Sequence, residues 1–101
     1  MPTPEYLDVD PASLHVPPSR RQGADPGKLA RQIMLFGNST AGMPRIWAVR
    51  GRDGKLRILN GVTRATRIAK LAPGHTVPVE VIDDDPRIVA GRMPSIGDLL
   101  P

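Results

Sequence analysis

One stretch constrains this chain more than any other: Arg57-Ile58-Leu59-Asn60-Gly61-Val62-Thr63-Arg64-Ala65-Thr66-Arg67-Ile68-Ala69-Lys70. It reads as a short apolar strand handing over, through a glycine turn, to a basic helix. In such a helix Val62, Ala65, Ile68 and Ala69 fall on one apolar face, while Arg64, Arg67 and Lys70 recur at i, i+3 and i+6. Asn60 is the expected N-cap. A turn of this kind presents unpaired backbone N–H groups and the positive end of a helix dipole, a natural seat for an anion. Arg64 and Arg67, on the first turns, would supply counter-charge.

The flanking chain fixes the company this corner keeps. Ile46 to Arg50 alternates, Asp53-Gly54 signals a tight turn, and Leu56 to Leu59 supplies the returning arm, so residues 46–59 are predicted to form an antiparallel hairpin, with Trp47 packed within it. Upstream, Asp25-Pro26 starts a helix over 26–36 whose Leu29, Ile33 and Phe36 form a stripe, closed by Gly37. Residues 37–44 are a small polar loop. Glu5 to Val9 suggests an edge strand, Leu14 and Val16 core positions, and Pro17-Pro18-Ser19-Arg20-Arg21 an extended segment carrying two charges. Thr76 to Ile82 is β-branched and alternating, with Pro78 favouring a sheet edge or strand start and Asp83-Asp84-Asp85-Pro86 ending it. Residues 84–101 read as a tail, in which Ile88-Val89, Ile96 and Leu99-Leu100 form a short docking segment. The order is β, α, β-hairpin, α, β: a small α+β domain spanning 1–101, with its core in about 5–83.

Composition narrows the function. The chain has no cysteine, which removes disulfides, thiolate metal sites and cysteine catalysis. Between Arg45 and Lys70 stand eight basic residues and one acid, Asp53, within a chain of net charge +4. That segregation favours a basic face and an anionic partner. Three aromatics are too few for a base-stacking platform. No apolar run reaches the roughly 18 residues of a membrane span, so no membrane role and a cytoplasmic location are expected. His15 and His75 are the only histidines, and so the only ready candidates for a general base. His75 reads as a surface residue, the aspartate run as a solvated strand end rather than a metal site, and no catalytic residue is identified.

The parts, in this order, resemble the ParB/sulfiredoxin-like superfamily. The matching elements are Tyr6–Val9, Ser19-Arg20-Arg21, the helix from Pro26, the Ile46–Leu59 hairpin, Gly61-Val62-Thr63-Arg64 and Val77-Pro78-Val79-Glu80-Val81-Ile82. They cover residues 5 to 83. The resemblance implies a glycine turn and helix N-terminus that bind nucleotide phosphates, with the arginine of Gly-x-x-Arg in contact. By position this makes Gly61 and Arg64 the phosphate site, with Arg20 or Arg21 approaching from the early loop; on the helix itself, the Thr63 hydroxyl at the N-terminus and Arg67 one turn on are expected to join it. The implied ligands are ATP or CTP with Mg2+, or nucleic acid. Partition proteins carry Glu and Arg where this chain has Val62 and Thr63, which tells against a partition-type CTP switch, and sulfiredoxins carry a cysteine in the turn, which tells against sulfinic-acid reduction. The resemblance is to a minimal ParB-like domain, without the partition protein's helix-turn-helix or dimerisation regions. Any reaction would be phosphodiester or phosphoanhydride hydrolysis. The Gly-Val-Thr-Arg-Ala-Thr-Arg run is also similar to ParB-like domains of bacterial polymorphic toxins, which makes a toxin-type nuclease one alternative. A non-catalytic protein-interaction adaptor with a decayed pocket is the other.

Overall fold

In the computed structural model, which describes residues 4–100, the chain runs β1 (Glu5–Val9), α1 (Pro26–Phe36), β2 (Ile46–Gly51), β3 (Leu56–Asn60), α2 (Val62–Leu71), β4 (Val77–Asp85) and α3 (Ile96–Leu99). Single 3-10 turns stand at Pro11–Ser13, Pro18–Arg20 and Ala90–Arg92. The predicted α+β class and element order are observed.

The four strands form one mixed sheet in the order β1-β4-β2-β3. β1 lies antiparallel to β4, from Glu5 opposite Val81 to Val9 opposite Val77. β2 lies parallel to β4 and antiparallel to β3. Strand periodicity puts Val77, Val79 and Val81 on one face with Ile46, Ala48 and Ile58, all buried. Against this face α2 lays Val62, Ala65, Ile68 and Ala69, the stripe its 3.6-residue period dictates. Burying a side chain the size of Ile68 stabilises by about 1.5–3 kcal/mol. Leu14 and Val16 complete the core as expected.

The helix caps are legible in chemistry. The Asp25 carboxylate accepts from the Lys28 N–H at 2.9 Å, Pro26 holds the first helical position, and Gly37 at φ 56° ends α1 with its N–H on Ile33 O. α1 packs on α2 instead of entering the core. Leu29 and Ile33 are only half-buried, and Met34, Leu35 and Phe36 are exposed.

Four expectations need correcting. The C-terminal residues are more than a tail with a docking segment: Ile96 docks as expected, with Leu99 and Leu100 against the core, but Ala90 and Met93 are buried as well, and the His15 backbone bridges to both Arg57 and Ser95. β4 continues through Asp83, Asp84 and Asp85, which pair with Val49, Arg50 and Gly51. Arg50 makes this tolerable, donating to Glu5 at 2.9 Å and Asp84 at 3.4 Å. Pro78, by contrast, holds the strand-start position expected of it: it is the second residue of β4 and stands opposite Asp8 of β1, while β2 joins β4 only from Val79. Trp47 leaves 48% of its surface to solvent, because it alternates with buried Ile46 and Ala48 and faces away from α2. Asn60 is the last residue of β3, and Gly61 takes the N-cap position without any side-chain cap.

Candidate functional site

The corner begins with a bulge. Trp47 stands opposite Asn60 and Ala48 opposite Ile58, leaving Leu59 as an extra residue that bends β3 as it approaches α2. Gly61 then turns the chain at φ 120°, a region only glycine occupies without strain. Glycine is needed for space as well: a Cβ here would lie 2.9 Å from Ile46 Cγ1 and 3.0 Å from Arg64 Nη2. The first intrahelical bond runs from Ala65 N–H to Gly61 O. The N–H groups of Val62, Thr63 and Arg64 therefore have no backbone acceptor, and no side chain caps them.

The residues that carry these N–H groups line a cavity of about 390 Å3 between α2, α1 and the early loop. Arg20, Lys28, Gln32, Asn60, Thr63 and Arg64 give it its polar wall, and no carboxylate lines it. Lys28 and Gln32 reach it together because they are four residues apart on α1. Arg20 arrives on the Pro18–Arg20 turn, held by Arg20 N–H to Pro17 O at 2.8 Å. Thr63 is half-buried, and its hydroxyl makes no hydrogen bond among the described residues. Arg64 donates through Nη2 to Arg45 O at 3.2 Å, while its Nε–H is buried without a partner. Burial pulls the Arg64 guanidinium below its usual range, yet arginine keeps its charge at any ordinary pH.

The sequence-predicted residues thus separate. Gly61, Thr63, Arg64 and Arg20 converge. Arg21 lines a different, open hollow formed by residues 18–26. Arg67 does not flank the corner either. It is 3% exposed, and its Nη1 donates to Gly37 O at 2.7 Å and Ser39 O at 2.8 Å, with Phe36 under the guanidinium at 5.4 Å. One helical turn beyond Arg64 carries it behind the N-terminus, toward the 37–44 loop. Lys28 and Gln32 were missing from the sequence reading. Their i, i+4 spacing was visible, but only the packing of α1 on α2 aims it at the glycine turn.

Neither histidine joins the site. His15 is buried with Nδ1 2.7 Å from Met93 O, so it ties the C-terminal segment to the sheet; His75 lies on the exposed loop after α2. Among the described residues no three His, Asp or Glu side chains stand together as metal ligands, and no helix is long and apolar enough to cross a membrane. No protein-family model, curated protein or solved structure matches the chain.

Proposed function

We propose that the Gly61–Arg64 corner binds the phosphate of a nucleotide or nucleic acid, in a ParB/sulfiredoxin-like domain. The observation that carries this reading is the cavity wall: Arg20, Lys28 and Arg64 line one cavity together with the residues that carry three uncapped N–H groups, with no carboxylate among the lining residues. A phosphate takes hydrogen bonds from the α2 amides and the Thr63 hydroxyl, and charge-assisted bonds from the guanidinium and ammonium groups. Charge-assisted bonds are each worth about 1.5–3 kcal/mol. Two or three of them correspond to dissociation constants from roughly millimolar to micromolar. The resemblance of the element order to the superfamily supports the same reading. Binding is what this wall favours, since His, Asp and Glu are all missing from the lining and no general base is to hand.

The test titrates ATP, CTP, pyrophosphate and a short single-stranded oligonucleotide into the wild type, Arg64→Ala and Lys28→Ala at low salt. Lys28 is exposed, so its variant keeps the fold. Both variants are expected to weaken binding about tenfold. An oligonucleotide whose affinity falls steeply with salt while the nucleotides stay inert identifies nucleic acid as the partner. If none of the four ligands binds the wild type, the reading is wrong.

A further inference from the structure

A second cavity, of about 220 Å3, lies under the 37–44 loop and is lined by Gln32, Phe36, Met43, Pro44, Arg64 and Arg67 among others. Three buried polar atoms of this lining have no partner: Gln32 Oε1, Arg64 Nε and Arg67 Nε. Native proteins pair nearly all such groups. The two guanidiniums also lack an acid, for the ion pairs found among the described residues join Arg50 to Glu5 and Asp84, and Arg87 to Asp85. Desolvation is accordingly the cause that draws both below the usual arginine range. A cation buried without a counter-charge is costly, and carbonyl dipoles on one nitrogen offset only part of that cost.

The geometry of Arg67 says what would complete it. Nη1 is spent on Gly37 O and Ser39 O, Nε–H is buried without a partner, and Nη2 makes no hydrogen bond among the described residues, so the other edge of the guanidinium is unpaired. That edge is a two-pronged fork, spaced for the two oxygens of one carboxylate. The Arg64 Nε–H offers a further donor, and turning the Gln32 amide over presents its NH2. A fully ionised phosphate spreads its charge over three oxygens and wants more donors than this cavity gives. The rest of the wall is apolar, made by the Phe36 ring, which lies under the Arg67 guanidinium, with Met43 and Pro44. The volume is below the roughly 300–1,000 Å3 of sites for drug-sized ligands.

We infer that this cavity is a separate binding site for a small carboxylate with an apolar body, its two oxygens on the free edge of Arg67 and its body against Phe36 and Met43. The inference does not rest on the phosphate reading, although Arg64 and Gln32 belong to both walls. A single-ring or branched aliphatic acid fits; a bare inorganic anion leaves the apolar wall uncovered.

The test follows backbone amide shifts while benzoate, benzamide, acetate and inorganic phosphate are each titrated into the wild type, Arg67→Lys and Phe36→Ala. Benzoate is expected to shift amides of residues 36–44 and 64–67 and to saturate, with benzamide and acetate each at least about tenfold weaker. Phe36 is 54% exposed, so Phe36→Ala keeps the fold, and it is expected to weaken benzoate about fivefold. Arg67→Lys keeps the charge, loses the fork, and is expected to lose benzoate; if its spectrum collapses, Phe36→Ala decides. The inference is overturned if benzamide equals benzoate, if Phe36→Ala changes nothing, if wild type fails to saturate with benzoate, or if benzoate moves only residues 61–64. Phosphate shifts at 61–64 report on the other corner, so neither their presence nor their absence bears on this inference, and the two readings fail separately.

Discussion

The Arg64 guanidinium lies across Gly61, close enough that a Cβ on the glycine would come within 3.0 Å of Arg64 Nη2. Backbone and side chain are therefore fitted to each other at the turn. Gly61→Ala places a side chain at φ 120° and drives either Ile46 or Arg64 aside. The expected result is a loss of about 1–3 kcal/mol in stability, read from the urea midpoint. Phosphate affinity should fall with it, by about tenfold, because the guanidinium leaves its seat. A variant with wild-type midpoint and wild-type affinity would mean the turn relaxes at no cost.

Arg67 is the strut of the 37–44 loop. Arg67→Met keeps most of the apolar stem but removes both Nη1 bonds, to Gly37 O and Ser39 O, and leaves those carbonyls without their donor. The expected destabilisation is about 2 kcal/mol. Hydrogen exchange distinguishes this from general weakening: amides of residues 37–44 should lose protection first, while those of β4 change only by the global amount. Uniform loss across the chain would count against a local strut.

The C-terminal segment carries part of the core, and its removal should be felt as a core mutation. Ile96 is 1% exposed, its N–H bonds to Leu14 O at 2.8 Å, and α3 is capped reciprocally by Ser95 and Asp98. Ile96→Ala is expected to cost about 2–5 kcal/mol. A shift in the denaturation midpoint smaller than that of an exposed control such as Met34→Ala would show that residues 86–100 are dispensable.

How much of this was visible in the sequence depended on the range of the interaction. Asp25-Pro26, Asp53-Gly54 and the valine alternation of β4 act through neighbours one to four residues away, and each produced the element expected of it. The glycine corner was legible for the same reason. What failed was decided at long range. Arg67 looks like Arg64 along the helix, and only the position of the Gly37 and Ser39 carbonyls separates their roles. The aspartate run looks like a strand end until Arg50 is placed beside it. The docking of Ile96 was legible, but positions 90 and 93 look like tail because apolar residues there are sparse, and their burial involves partners as distant as His15, which holds Met93 O.

Acid should loosen the hairpin tip. The Asp53 carboxylate accepts from the N–H groups of Gly91 at 2.9 Å, Lys55 at 3.3 Å and Ala90 at 3.3 Å. The Gly91 bond is the leading cause that holds Asp53 below the ordinary value of 3.8. A depressed folded value means the contribution is present above 3.8 and is lost as pH falls through the lower folded value. Asp53→Asn should lower the urea midpoint near neutral pH and flatten its decline below about pH 4. Identical pH profiles for wild type and variant would exclude this carboxylate as a contributor.

The two arginines of the early loop provide the sharpest check on the site. Arg20 lines the cavity that holds the α2 amides, and Arg21, its neighbour in sequence, lines the open hollow of residues 18–26 instead. Both are exposed, so either can be changed without disturbing the core. Net charge drops equally in Arg20→Ala and Arg21→Ala, and long-range attraction for an anion weakens equally with it. Direct contact is lost in only one. Arg20→Ala is expected to raise the dissociation constant for pyrophosphate about five- to tenfold, and Arg21→Ala less than twofold, measured by calorimetry at the same low salt. Equal losses would reduce the early loop to a diffuse electrostatic contribution and leave Arg64 and Lys28 as the cations that hold the phosphate.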